Sequence, residues 1–147
     1  MSVRDVVQAA AGVGGAGEYI EDVFSTYLYT GNNGSQTIEN GVDLAGEGGM
    51  VWMKSRNATY NHGLMDTARG TSSVLCSNLS DAAKPYTDIT SFNSNGFTLG
   101  FYSGWFNSSG ETYASWTFRK APKFFDVVTW TGDGISGKTI SHNLGST

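Results

Sequence analysis

Residues 125–133 begin again the pattern that opens at residue 24, and this repetition limits the fold of the 147-residue chain more than any other feature. Phe24-Ser-Thr-Tyr-Leu-Tyr-Thr-Gly-Asn32 and Phe125-Asp-Val-Val-Thr-Trp-Thr-Gly-Asp133 share a Phe, an aromatic, a Thr, a Gly and an Asn or Asp at a fixed offset of 101 positions. Thr37-Ile38 returns as Thr139-Ile140 at an offset of 102, a one-residue insertion in the turn. Asn and Asp interchange after the Gly because both tolerate left-handed backbone. A period this long is one domain, so it describes modules in tandem and not a solenoid. The second copy lacks the strands that would complete it. Residues 124–147 are therefore expected to be the start of a second, incomplete repeat or a linker, and the native polypeptide is expected to continue.

The module itself, residues 19–123, has the pattern of an antiparallel β-sandwich. Phe24–Thr30 is rich in aromatic and β-branched residues, the content of a strand. Gly31-Asn32-Asn33-Gly34 and Asn40-Gly41 are turn signals around Gln36-Thr37-Ile38. Met50–Arg56 is a nearly continuous apolar run, the signature of a central strand buried on both faces. Further strands are predicted at 63–66, 72–77, 96–102, 112–119 and 124–131. In 96–102, Phe97, Leu99 and Phe101 alternate with period two. In 112–119, Ala114, Trp116 and Phe118 point one way while Tyr113 and Thr117 point the other. No helical period interrupts these strands, which favours a mainly β sandwich.

Only the segment before Phe24 has a helical period. Ser2 caps a predicted helix over residues 2–11, with Asp5 three residues later. Val3, Val6, Val7 and Ala10 fall on one face. Glycines at 12, 14, 15 and 17 then end it. A helix this short needs its apolar stripe buried. It packs on its own domain, docks on a partner, or joins copies of itself in a small bundle. Residues 1–18 are thus a helix with a glycine-rich tether.

Composition excludes several functions. The net charge is −4 and the 9 basic residues are scattered, so there is no nucleic-acid footprint. No apolar run approaches a membrane span, and Arg4, Asp5 and Gln8 interrupt the N-terminal stretch, so it is not a signal peptide. The single cysteine, Cys76, permits no intrachain disulfide and fits synthesis in a reducing cytoplasm. Cys76 is expected to be a small buried hydrophobe. No cofactor is expected, since no Walker or Rossmann glycine pattern precedes a helix.

Catalytic signatures are missing too. Glu47, Asp66 and Glu111 are dispersed and do not form the facing carboxylate pair that glycoside hydrolysis requires. His62 and His142 lack a Gly-x-Ser-x-Gly elbow or a cysteine with a local signature. The densest polar cluster is Lys54, Ser55, Arg56, His62, Asp66 and Arg69. It forms either a ligand-facing groove or a hairpin tied by an Asp66–Arg69 or Asp66–Arg56 ion pair. The asparagine-rich tips, 93–95 and 107–110, suit calcium ligation through oxygen and suit turn formation equally. Tyr102 and Trp105, beside glycines, are either a sugar-stacking platform or sandwich edges.

Several long motifs are shared with a known family. They are Tyr29-Thr-Gly-Asn32, Val42-Asp-Leu-Ala-Gly-Glu-Gly-Gly-Met-Val-Trp52, Asp66-Thr-Ala-Arg-Gly70, Thr90-Ser-Phe-Asn-Ser-Asn-Gly-Phe-Thr-Leu-Gly100 and Tyr113-Ala-Ser-Trp-Thr-Phe-Arg-Lys-Ala-Pro-Lys-Phe-Phe125. Together they resemble a module of tail-fibre and related structural proteins of tailed bacteriophages, especially marine and cyanobacterial ones, over residues 19–147. The resemblance implies a concanavalin A/laminin-G-like jelly roll without catalytic residues. The opening residues 1–15 resemble the N-terminal lead of such fibres, which implies attachment to the virion. The implied partners are phage tail or adaptor proteins and two further copies in a homotrimer, made in the host cytoplasm, with host surface glycan bound by regions beyond this chain. The alternatives are a glycan-binding lectin-like module and a capsid decoration protein.

Overall fold

The structure, a computed structural model, describes residues 19–101 and 105–145. The predicted helix with Val3, Val6, Val7 and Ala10 lies outside the described residues, as does Tyr102. A one-turn helix α1 (Ile20–Val23) leads into seven strands: β1 (Phe24–Thr30), β2 (Gln36–Glu39), β3 (Gly49–Ser55), β4 (Gly63–Asp66), β5 (Ile89–Asn93), β6 (Gly96–Leu99) and β7 (Thr112–Arg119). The fold is mainly β, with two antiparallel sheets. One has the order β1-β7-β3-β4 and the other β2-β6-β5. First and last strands pair along their whole length, Phe24 with Phe118 through Thr30 with Thr112. The module therefore closes on itself within one repeat length.

One core serves both sheets. Every strand contributes to it: Tyr29, Ile38, Val51, Met53, Met65, Ile89, Phe97, Leu99 and Tyr113 are buried there. Loop residues Val42, Leu44, Val74 and Phe106 complete it. Removing side chains of this size from water stabilises by about 1.5–3 kcal/mol each. In β7 the expected alternation holds. Tyr113, Ser115 and Thr117 face the core, while Trp116 and Phe118 lie half-buried on the opposite face.

The structure corrects four sequence expectations. β3 is central but buried on one face only: Val51, Met53 and Ser55 point inward, and Met50, Trp52 and Lys54 are half-exposed. Phe101 does not continue the alternation of Phe97 and Leu99, because β6 ends at Leu99 and leaves Phe101 77% exposed. Residues 72–77 form no strand and pair only through the isolated bridges Leu64–Leu75 and Val74–Lys84. Residues 124–131 also form no strand. One bridge, Ala121–Phe125, is their only pairing among the described residues, and Trp130 is 64% exposed. A strand composition does not make a strand where no neighbouring edge supplies hydrogen bonds.

Candidate functional site

The register of the large sheet lines side chains into rows across its outer face. Thr26, Trp116, Trp52 and Leu64 form one row, taken from β1, β7, β3 and β4 in turn. Phe24, Phe118, Met50 and Asp66 form the next. The indoles of Trp52 and Trp116 lie 5.5 Å apart at 54°. Trp52 Nε1 donates to His62 Nδ1 at 2.9 Å, which fixes the Trp52 ring. Phe118 touches Phe24 at 5.0 Å and Phe125 at 5.2 Å. Among the described residues, Phe125 packs on this face at Phe118, His62 at Trp52 and Arg69 at Asp66. The rings of this face are half-buried because they bury one another sideways.

The predicted polar groove is divided by this geometry. Asp66 is buried and pairs with Arg69, its Oδ2 accepting from Nε at 2.7 Å and its Oδ1 accepting from the Arg69 backbone N–H at 2.9 Å. Arg69 Nη2 also donates to the Leu64 carbonyl at 3.1 Å. Of the two pairings open to the sequence, the one three residues away formed. Lys54 Nζ donates to the Ser55 and Ala58 carbonyls at 2.7 and 3.1 Å, which closes its own turn. Arg56 is exposed in that turn. His62 is engaged with Trp52. Apart from the exposed Arg56, these side chains are turned to neighbouring protein groups.

Trp105 is half-buried against the core, its ring 4.9 Å from Tyr86 and 6.3 Å from Phe106. Cys76 is buried as expected, and burial pushes its thiol pKa up. The asparagine-rich tips use their side chains internally. Asn93 bonds Ser91 and Thr98, Asn95 accepts from Gly41 N–H, and Asn107 is fully buried. Among the described residues no group of three or more His, Cys, Asp or Glu could hold a metal ion, and no helix is long and apolar enough to cross a membrane.

A second feature, invisible to sequence reasoning, lies where the chain leaves the sandwich. Asp126 accepts from Asn143 N–H at 2.7 Å and Val127 N–H at 2.9 Å, and pairs with Lys120 at 3.1 Å. Lys123 N–H donates to the Leu144 carbonyl at 2.8 Å. These bonds fold residues 127–142 into a loop tied at its base, beside a groove of about 270 Å³ between Glu47, Lys120 and Phe125. Hydrogen bonding from Asn143 and the nearby Lys120 ammonium hold the Asp126 carboxyl below the usual carboxylate range. Its folded value is the lower one, so its contribution is present above the unfolded value of about 3.9 and lost as pH falls through the folded value. Acidification, or Asp126→Asn at neutral pH, is expected to speed proteolysis within residues 127–142 while the sandwich stays folded. Unchanged cleavage in both cases would remove the tie.

Residues 20–147 match a family described as Domain of unknown function (DUF7483). No curated protein and no solved structure matches the chain.

Proposed function

The chain belongs to the DUF7483 family, and on that premise we propose that it is a non-catalytic structural segment of a bacteriophage virion, the N-terminal part of a tail fibre that anchors the fibre to the tail. The observation that carries the reading is the base of the sandwich. Phe24, where the module begins, and Phe125, its counterpart one repeat later, both pack against Phe118. Chain entry and exit thus share one end of the module, so modules joined in tandem would meet at their bases and project sideways from a common stem. The long motifs shared with phage fibre modules support the same reading, by analogy and not by mechanism.

The finer parts of the proposal follow from it. The module is a concanavalin A-like jelly roll, for which two antiparallel sheets of four and three strands around one core are the supporting fact. Residues 1–18 attach to a tail or adaptor protein through Val3, Val6, Val7 and Ala10, and the fibre is a homotrimer located in the virion. Deleting residues 1–15 is expected to leave the cooperative melting of the sandwich unchanged and to abolish incorporation into particles. Normal incorporation of the shortened chain would overturn the proposal. Label on the head lattice in electron micrographs would favour a decoration protein instead.

A further inference from the structure

We infer that the outer edge of β1 is an interface at which a second copy of this chain adds its own β1, antiparallel and two-fold symmetric about Tyr27. The inference does not depend on the fibre reading, and a dimer in solution would replace the homotrimer of that reading while leaving the attachment role of residues 1–18 untouched. β1 pairs with β7 alone among the described residues, so one row of its backbone groups has no ladder partner. Natural edge strands are shortened, charged, bulged or covered, because a bare edge templates another strand. Three of the four edges here are treated in those ways. β4 is covered by the Leu64–Leu75 bridge, β5 carries an irregularity at Thr90, and β2 has four residues ending in exposed Glu39. β1 is seven residues long, in regular register, with no charge and no proline. Leu28 on one face is 58% exposed and Tyr27 on the other 37%.

The parity of the ladder says which groups are bare. Just past β1, Gly31 N–H donates to the Glu111 carbonyl and the Gly31 carbonyl accepts from Gly110, so both groups point toward the β7 side. Backbone direction alternates along a strand. Residues 25, 27 and 29 therefore face β7, and the N–H and C=O groups of Thr26, Leu28 and Thr30 face outward. An antiparallel copy overlapping all seven residues sets Phe24 opposite Thr30, Thr26 opposite Leu28 and Tyr27 opposite itself. Thr26 and Leu28 of one strand then exchange bonds with Leu28 and Thr26 of the other, while the outermost pair is partial because the Phe24 N–H already donates to the Ile20 carbonyl. This register joins the apolar outer faces of the two large sheets, and no like charges oppose. Glu21 and Asp22 lie in α1, ahead of the paired residues.

The second copy is favoured as occupant because the same strand satisfies its own edge in both parity and charge. Occupation of the edge by another segment of the same chain, residues 1–18 or 125–131, would instead give a monomeric mass. Tyr27 falls at a non-hydrogen-bonded pair on the axis, where Cα atoms approach to about 4.5 Å, within the span of a disulfide. Residue 28 meets Thr26 across the pair and lies more than about 7 Å from its own counterpart, out of reach. The experiment is mild oxidation of the full chain carrying Cys76→Ala with either Tyr27→Cys or Leu28→Cys, with solution mass measured by light scattering. Expected are a dimeric mass, a covalent dimer from Tyr27→Cys, and none from Leu28→Cys. Leu28→Lys, an exposed substitution, is expected to give a monomer with unchanged melting. A monomeric parent chain would overturn the inference, as would equal cross-linking at both positions. A trimer that does not cross-link at Tyr27 would overturn it while leaving the fibre reading intact.

Discussion

Gly96→Ala is expected to lower the melting temperature by roughly 10 °C or more, as measured by circular dichroism. Gly96 starts β6, the central strand of the small sheet, and pairs with Glu39 on one side and Asn93 on the other. Its φ is +127°, a region that L side chains rarely adopt. A Cβ there would stand 2.0 Å from the Ile38 carbonyl oxygen and 3.1 Å from its carbon. That oxygen belongs to the backbone of a paired strand and has no rotamer through which to retreat. Backbone strain costs about 1–3 kcal/mol and forced repacking about 1–3 kcal/mol more. The sum is a large part of the roughly 5–15 kcal/mol that holds a domain folded. Gly110→Ala separates the two causes. Gly110 also has positive φ, +79°, but no atom lies within 4 Å of the place its methyl group would take. It is expected to carry the strain alone and to melt well above Gly96→Ala. Equal melting of the two variants would show that the contact with Ile38 contributes nothing.

The sequence carries the strands whose signal is local. β1, β4 and β7 occupy the ranges predicted for them, β1 through its aromatic and β-branched content and β7 through its alternation. β5 escaped detection because its register shifts between Ile89 and Ser91. The shift leaves Thr90 out of the pairing and puts Ile89 and Phe92, three apart, against the same core, which erases a period of two. The outer face of the large sheet was hidden for a different reason. Trp52 and Trp116 are neighbours only through the pairing of β3 with β7, and no local pattern reports a register between distant strands. The polar cluster shows the opposite limit. Asp66 met Arg69, and Lys54 met the carbonyls of its own turn, because these groups are close in sequence, whereas His62 was drawn to the Trp52 indole of the neighbouring strand.

Asn107 was legible only as a member of an asparagine-rich tip, yet its burial is complete, and Asn107→Leu is expected to cost about 3 kcal/mol or more. Its side chain holds three segments together. Oδ1 accepts from Asn32 N–H at 3.1 Å, and Nδ2 donates to the Gly34 carbonyl at 2.6 Å and the Gly100 carbonyl at 3.3 Å. The loop on either side is fastened to the core tyrosines. Tyr29 donates to the Phe106 carbonyl at 2.8 Å, and Ser108 N–H donates to the Tyr113 hydroxyl at 3.1 Å. Leucine matches the shape but leaves one donor and two acceptors without partners, each worth about 1–3 kcal/mol when buried. Faster hydrogen exchange at Asn32 should accompany the lower melting point. Asn107→Asp isolates the donor. Its carboxyl would keep the bond from Asn32 but turn an oxygen toward two carbonyls, which raises its folded pKa. The carboxylic acid can donate where the carboxylate cannot. This variant should therefore approach the parent protein below the unfolded value of about 3.9 and lose stability as pH rises through the raised folded value. If its deficit against the parent at matched pH is the same at pH values of about 4 and about 7, the Nδ2 bonds to Gly34 and Gly100 do not hold the end of the sandwich together.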